Sequence, residues 1–255
     1  MSVWEPAKEE LEGAVMGEFF NLDNKFFQGL NKAVDCVCLS LLWVLCCVPL
    51  AIVLYLGLVS KVIVMLIPCI PLAVPAGVAS TALYYTVNKV IRHSRGYIWK
   101  EFWQAFRSNF KQTGIVTLIV AAVAFVIAID GYIMLQFAQA GQQGGVLYIV
   151  FFVMLIFEAA WAIYLFPYMA RFENTTKQVL KNTALMAIGN LPKTLLMLLI
   201  LALVCLGTYI IPLFIFFIPA VYTLVINFIM EKIFMRYMSE EDIAAEQERN
   251  REFYQ

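Results

Sequence analysis

Charged residues are scarce in this chain, and they are unevenly distributed. Only 14% of the 255 residues are Asp, Glu, Lys or Arg, and the formal net charge is zero. A chain without excess positive charge offers no general electrostatic attraction for nucleic acid and no strong field to steer a charged partner. The composition therefore excludes nucleic-acid binding through a basic surface, and we expect no nucleic acid among the partners.

Residue types that form catalytic and metal sites are also few. His93 is the single histidine, which excludes a zinc site with two histidine ligands. The six cysteines lie in apolar stretches without a C-x-x-C pair, so we interpret them as packing residues. No glycine-rich loop ending in Lys-Ser or Lys-Thr occurs, which excludes a P-loop ATPase. We therefore expect no metal, no cofactor and no enzymatic activity.

Long apolar stretches dominate the sequence instead. Hydrophobic residues make up 62% of the chain, and the mean hydropathy is +0.80. A membrane-spanning helix needs about 20 apolar residues, and the last stretch, at about 66 Å if helical, exceeds a hydrocarbon core of about 30 Å. We expect it to turn at Pro212, after Gly207, and to form two spans. The apolar stretches are 33–60, 62–91, 114–137, 145–169 and 191–234.

The basic residues predict the orientation of these spans. They lie before residue 33, in 89–111, in 171–193 and after residue 231, whereas the other connections contain only Lys61. Cytoplasmic loops carry the excess of Lys and Arg in membrane proteins. We therefore predict an all-α, polytopic protein with about six transmembrane helices, cytoplasmic interfacial helices and both termini in the cytoplasm. Its parts are a cytoplasmic tail (1–32), a transmembrane domain (33–234) and a charged cytoplasmic tail (235–255).

The apolar insertion at 51–74 leaves two alternatives open. Gly57, Lys61, Pro68 and Pro71 interrupt it. Either two long helices extend beyond the outer membrane surface, or the segment folds as a re-entrant hairpin. Both alternatives keep an even number of crossings.

Two of the basic connections resemble each other at a displacement of 81 residues. Because Asn is a good helix N-cap, we expect Asn109 and Asn190 to cap the helices that follow them. Three identities leave two interpretations open, an internal repeat of span, interfacial helix and span, or a chance match between amphipathic segments. The aligned pairs are Lys100 with Lys181, Asn109 with Asn190, and Thr113 with Thr194.

Aromatic residues recur at helical spacing just before the third span. They predict an amphipathic helix at the inner membrane interface, with rings at headgroup depth and cations toward anionic lipid. The helix is either a membrane-surface spacer or a docking platform for a partner. A second aromatic segment, FFNLDNKFF (residues 19–27), is expected on the same interface. The docking candidates are Trp99, Phe102, Trp103 and Phe106.

Three motifs of the sequence are FFNLDNKFF (19–27), PAGVASTALYY (75–85) and GYIWKEFWQAFRSNFKQ (96–112). With them, about residues 19–234 resemble the YesL-type family of bacterial integral membrane proteins, whose biochemical function is unassigned. Members often occur beside carbohydrate ABC-transporter permeases, extracytoplasmic sugar-binding proteins and glycoside hydrolases in Gram-positive bacteria. The resemblance therefore implies the bacterial cell membrane and a role in carbohydrate uptake. The insertion between residues 49 and 75 and the acidic extension before Met16 depart from the family pattern.

Polar residues inside the spans are the default functional candidates, because they are costly in hydrocarbon. Glu158 is the deepest, and Asn227 is expected at a similar depth and within hydrogen-bonding reach of it. Asp130 should lie close to the outer surface. Asp35 and Glu231 should lie at headgroup level near the inner one. Glu158 is either a structural residue between helices or a proton-coupling or ligand-binding residue.

Our leading hypothesis is an accessory or regulatory membrane protein of a carbohydrate ABC-type uptake system. It would lie in the lipid bilayer and act by binding partners, either a sugar permease or an extracytoplasmic binding protein. A homo-oligomer is a further possible assembly. The alternative is an autonomous small-solute or proton-coupled transporter that uses Glu158. A permease subunit is disfavoured because 181–192 lacks the acidic opening of a coupling helix, and an intramembrane enzyme because no second carboxylate accompanies Glu158.

Overall fold

Helices make up all the regular structure in the residues that the structure describes. The structure, a computed structural model, describes residues 25–60, 62–92, 96–142 and 144–238. The predicted aromatic segment at 19–27 lies almost wholly outside these residues, and so does most of the C-terminal tail. The α-helices are α1 (Lys25–Ser60), α2 (Cys69–Thr86), α3 (Ile98–Gln139), α4 (Tyr148–Arg171), α5 (Thr176–Gly189), α6 (Leu191–Ile210) and α7 (Ile218–Tyr237).

Six helical segments of the described chain are long and apolar enough to cross a membrane, which confirms the predicted polytopic helical fold and its number of spans. An even number of crossings predicts that residues 25 and 238 lie on the same side of the membrane. We call the end where α2 ends and α3 begins the basic end, and the opposite end the far end. The spans are Gly29–Ser60, Ile63–Arg92, Ile98–Gln139, Tyr148–Arg171, Leu191–Ile210 and Ile218–Tyr237.

The insertion extends the first hairpin at the far end. Helix α1 has 36 residues, about 54 Å, and a short 3-10 turn, Ile63–Leu66, brings the chain back to α2. Gly57 permits this turn to pack on α1, since a Cβ atom there would lie 2.3 Å from Leu66 Cδ2. This continuous first helix with a short returning turn favours the extended first hairpin over a re-entrant one.

The turn between the fifth and sixth spans lies where the prolines predict it. Helix α6 ends at Ile210, a 3-10 turn occupies Pro212–Phe216, and α7 begins at Ile218. The N–H groups in the first turn of a helix have no partner within the helix, and proline has no N–H group to leave unbonded. Pro212 and Pro219 therefore fit the starts of the 3-10 turn and of α7.

The two aligned connections differ in structure. In the first, the amphipathic segment is not a separate helix: it continues into the third span as one 42-residue helix, α3, about 63 Å long. In the second, α5 is separate and stops at Gly189. The difference follows from the sequence, because Gly189 and Pro192 of the second connection correspond to Ser108 and Lys111 of the first.

The predicted N-cap roles of the two aligned asparagines are therefore corrected. Asn109 lies inside α3 and caps nothing, and Asn190 occupies the N-cap position of α6 without a side-chain capping bond. Each instead donates from Nδ2 to the carbonyl oxygen four residues earlier, that of Ala105 or of Met186. The two asparagines therefore make the same local hydrogen bond, although only the second lies at the start of a helix.

Helix α2 lies at the centre of the bundle. At Gly77 it approaches α3 so closely that a Cβ atom would lie 2.1 Å from Thr117 Oγ1. Small residues permit such approaches, which stabilise helix pairs in membranes through close packing. One buried cluster, around Leu39, Ala82 and Phe102, joins α1, α2, α3 and α7. A second buried cluster, centred on α4, joins α5, α6 and α7 around Tyr164, Met197, Ile226 and Val179.

Candidate functional site

Polar side chains are concentrated at the basic end, beginning with the last turns of the second span. Val87–Arg92 is a π-helix, a rare conformation that is frequently found at functional sites. Within it, Lys89 Nζ lies 2.7 Å from Glu101 Oε2 and donates to Tyr85 Oη at 3.3 Å. Lys89 and Glu101 thus tie the end of the second span to the start of α3.

A second charged group joins three helices. Glu231 of α7 is bonded to Arg92, and its other carboxylate oxygen lies 3.9 Å from Arg171 Nη1 of α4. Its side chain is only 12% exposed, and the Arg92 guanidinium lies 4.8 Å from the centre of the Phe228 ring. The expectation that Glu231 is solvated at headgroup level is therefore wrong. Sequence spacing could not have shown that this carboxylate meets two arginines.

A polar cleft of about 910 Å³ opens beside this charged group, between the first turns of α3, the end of α4 and the start of α5. Gln112 of α3 donates to the carbonyl oxygen of Asn174, and Asn174 Nδ2 donates to Tyr168 Oη at 2.8 Å. These bonds join α3 to the connection between α4 and α5 along one wall. The cleft therefore lies where the two aligned connections meet. Its polar and aromatic lining includes Tyr85, Gln104, Ser108, Asn109, Gln112 and Phe172.

The structure does not bring the predicted intramembrane residues together. Glu158 is buried ten residues into α4, about 15 Å along the axis, with its carboxyl group near the backbone of Ala124. The Ala124 backbone is close to the carboxyl group, but neither oxygen makes a hydrogen bond of acceptable geometry with a described residue. Asn227 is also buried, but its Nδ2 donates to the carbonyl oxygen of Tyr84 at 3.4 Å. The expected bond between Asn227 and Glu158 is therefore absent.

The other two intramembrane candidates are less enclosed. Asp130 of α3 is half-buried, nine residues before the far end of that helix. Asp35 of α1 is also half-buried and lies toward the basic end, close to residues packed on Phe102. They occupy different helices and different depths, so they form no common site with Glu158.

Three buried hydroxyl groups on α2 and α3 were not predicted from the sequence. The Oγ1 atoms of Thr81, Thr113 and Thr117 are buried and have no hydrogen-bond partner in the described part of the chain. The sequence does not predict such unbonded hydroxyl groups, because the hydroxyl group of a threonine in a helix usually donates to a carbonyl oxygen of the same helix.

The predicted docking residues divide between two faces of α3. Trp99 is 65% exposed and the neighbouring Tyr97 82%, whereas Phe102 is fully buried. Trp103 and Phe106 are partly buried against the cluster around Phe102, and Trp103 meets both neighbouring rings edge-on. Of the four candidates, Phe102 therefore has no surface for a partner, and Trp99 has the most.

Two cavities farther from the basic end have mostly apolar surfaces, although several hydroxyl-bearing side chains line the first of them. One of about 610 Å³ lies between α1, α2, α4, α6 and α7, and another of about 570 Å³ lies between α1, α2 and α3. In the first, Trp43 Nε1 donates to Ser80 Oγ at 2.9 Å. Across the described residues, no three His, Cys, Asp or Glu side chains are arranged to hold a metal ion.

Part of the chain matches the model of a known protein family. Residues 36–131 match the family model described as "Protein of unknown function, DUF624". This is the YesL-type family. The match confirms the resemblance over most of α1, all of α2 and most of α3, including the motifs at 75–85 and 96–112. Searches of the curated proteins and of the solved structures give no match.

Proposed function

We propose that this protein is an accessory or regulatory membrane protein of a bacterial carbohydrate uptake system of the ABC type, acting by binding partners rather than by catalysis. The carbohydrate setting comes from the YesL-type resemblance. The binding role rests on the distribution of polar groups along the bundle.

That distribution is the observation that supports the proposal. At the basic end, ion pairs and hydrogen bonds join α2, α3, α4 and α7 around an open polar cleft. Within the spans, Glu158 and Asn227 are not bonded to each other, and the two cavities described above have mostly apolar surfaces without charged side chains. A transport pathway through the membrane needs polar groups at successive depths along its length. Binding of a partner protein instead needs polar groups that lie together at one surface.

The exposed apolar side chains of the basic end provide a surface for a partner. Tyr97 and Trp99 are exposed at the start of α3, and Leu185 and Ile188 of α5 are 58% and 66% exposed. Aromatic residues with an exposed ring and a polar edge are enriched at protein interfaces. Because the basic connections favour the cytoplasm, we propose that this surface meets the cytoplasmic parts of a sugar permease at the bacterial cell membrane.

Co-purification from the native membrane tests this proposal. After brief crosslinking and mild detergent extraction, mass spectrometry should identify a sugar permease or binding protein in near-stoichiometric amount. Tyr97→Ala together with Trp99→Ala should reduce its recovery. The matched control is Tyr209→Ala, which removes an aromatic ring that is 85% exposed at the far end. Recovery of a homo-oligomer alone would contradict the proposal.

The second candidate is an autonomous transporter, and one observation favours it. Both carboxyl oxygens of Glu158 are buried without a partner, as expected for a residue that exchanges a proton or binds a solute group. Glu158→Gln distinguishes the two functions. A transporter would lose proton-coupled flux in liposomes at unchanged expression, whereas the accessory protein would keep its partner.

A further inference from the structure

The lining of the basic-end cleft has an unusual excess of side-chain amides. Gln104, Asn109 and Gln112 recur along one side of α3, with Ser108 between them. An amide side chain offers both donors and an acceptor, so a row of them matches ligands that carry many hydroxyl groups. A single anion or cation would require an excess of one charge instead.

Much of this hydrogen-bonding capacity is unused within the protein. The Gln104 side chain is exposed and has no bond to any described residue. Gln112 uses its amide nitrogen on Asn174, and Asn109 uses its amide nitrogen on Ala105 and Ser108, which leaves both amide oxygens available as acceptors.

The charges of the lining balance. Arg171 and Glu173 are its charged residues, one of each sign, and Arg171 already lies close to Glu231. A neutral ligand therefore fits this environment better than an ionised one. Two aromatic residues, Tyr85 and Phe172, also line the cleft and add apolar surface that can contact C–H groups of a ligand.

We propose that the cleft binds a neutral, polyhydroxylated small molecule of mono- or disaccharide size. The volume of about 910 Å³ lies within the range of about 300–1,000 Å³ that is usual for small-molecule sites. The inference deepens the proposed function and rests on it: a sugar bound between α3 and the α4–α5 connection would report imported carbohydrate to the surface formed by Trp99 and α5.

Titration calorimetry on the full-length protein in lipid nanodiscs tests the inference. Nanodiscs are required because maltoside and glucoside detergents would compete for the cleft. The probes are maltose, cellobiose, sucrose and glucose, with glucose 6-phosphate and inorganic phosphate as charged comparisons. At least one neutral sugar should bind saturably at a concentration below about 10 mM.

A matched pair of variants on α3 locates the site. Gln104→Ala should weaken sugar binding by about tenfold or more, without affecting folding, because its side chain is exposed and unbonded. Gln136→Ala removes an exposed amide near the far end of the same helix and should leave the affinity unchanged. Asn109→Ala should weaken binding in the same direction as Gln104→Ala.

Three results would overturn the inference: no neutral sugar binds, phosphate or the sugar phosphate binds more tightly than any neutral sugar, or both glutamine variants behave alike. Partner recovery in the co-purification experiment is a separate readout. Failed sugar binding with retained partner recovery removes the inference and leaves the proposed function standing.

Discussion

At the residue scale, the contact between Gly77 and Thr117 sets the distance between α2 and α3. A methyl group on Gly77 would meet the short, stiff Thr117 side chain, with three of its atoms within 2.8 Å. Gly77→Ala should therefore lower the free energy of unfolding by about 1–3 kcal/mol. Thermal unfolding in nanodiscs measures the effect.

The control for this substitution is Gly29→Ala. No atom lies within 4 Å of a Cβ atom at Gly29, so the variant should be neutral or gain up to about 1 kcal/mol from helix propensity. Equal stability of the two variants would show that α2 and α3 are not in close contact at Gly77.

Glu158 gives a second prediction at this scale. A buried polar group without a partner costs about 1–3 kcal/mol, so Glu158→Leu should raise the free energy of unfolding by about 1 kcal/mol or more. The measurement is again thermal unfolding, with partner recovery as a check of function. A large loss of stability would mean that the carboxyl group is bound in the native protein.

The sequence predicts that Glu158 lies deep in its span, but it does not predict which groups surround the side chain. Depth follows from position along a helix, whereas a partner depends on how neighbouring helices rotate about their axes. The same limit applies to Phe102. Helical spacing placed it on an aromatic stripe with Trp99, yet packing against Leu39 and Ala82 buries one ring and leaves the other exposed.

At the element scale, the pairing of Glu231 with Arg92 and Arg171 joins the ends of three spans. Glu231→Gln leaves two arginines beside a neutral group in a mostly buried site. We expect a loss of about 3 kcal/mol in the free energy of unfolding. Chemical denaturation in mixed micelles measures it.

Lys232→Gln is the matched control, because it removes the charge of the next residue along α7, which is exposed. This variant should change stability by no more than about 0.5 kcal/mol. If the two variants were equally stable, the carboxylate of Glu231 would not hold the three helices together.

The elements themselves could largely be predicted from hydropathy, and the breaks from proline. Pro212 marked the turn between α6 and α7. The continuity of α3 is not evident from the sequence, because an amphipathic segment followed by an apolar one suggests a bend between them. In the first connection, no residue between Lys111 and Gly114 breaks the helix. In the second connection, Gly189 and Pro192 separate α5 from α6.

At the scale of the whole molecule, the even number of spans predicts which connections share a side. In a variant without native cysteines, Lys177→Cys in α5 and Gln142→Cys beyond α3 should react from opposite sides of the membrane. A membrane-impermeant maleimide applied to spheroplasts should label position 142 and leave position 177 unlabelled until the membrane is permeabilised. Labelling of both positions in intact spheroplasts would contradict six crossings with cytoplasmic termini.

The central claim is that the basic end is the surface through which this protein recognises its partner. Site-specific photo-crosslinking tests it most directly, with a photoreactive phenylalanine analogue placed at Trp99 or, as control, at Tyr209. The account predicts a crosslink from position 99 to a subunit of a sugar permease and no such product from position 209. A permease crosslink from position 209 alone, or none from position 99 in cells taking up the sugar, would contradict it.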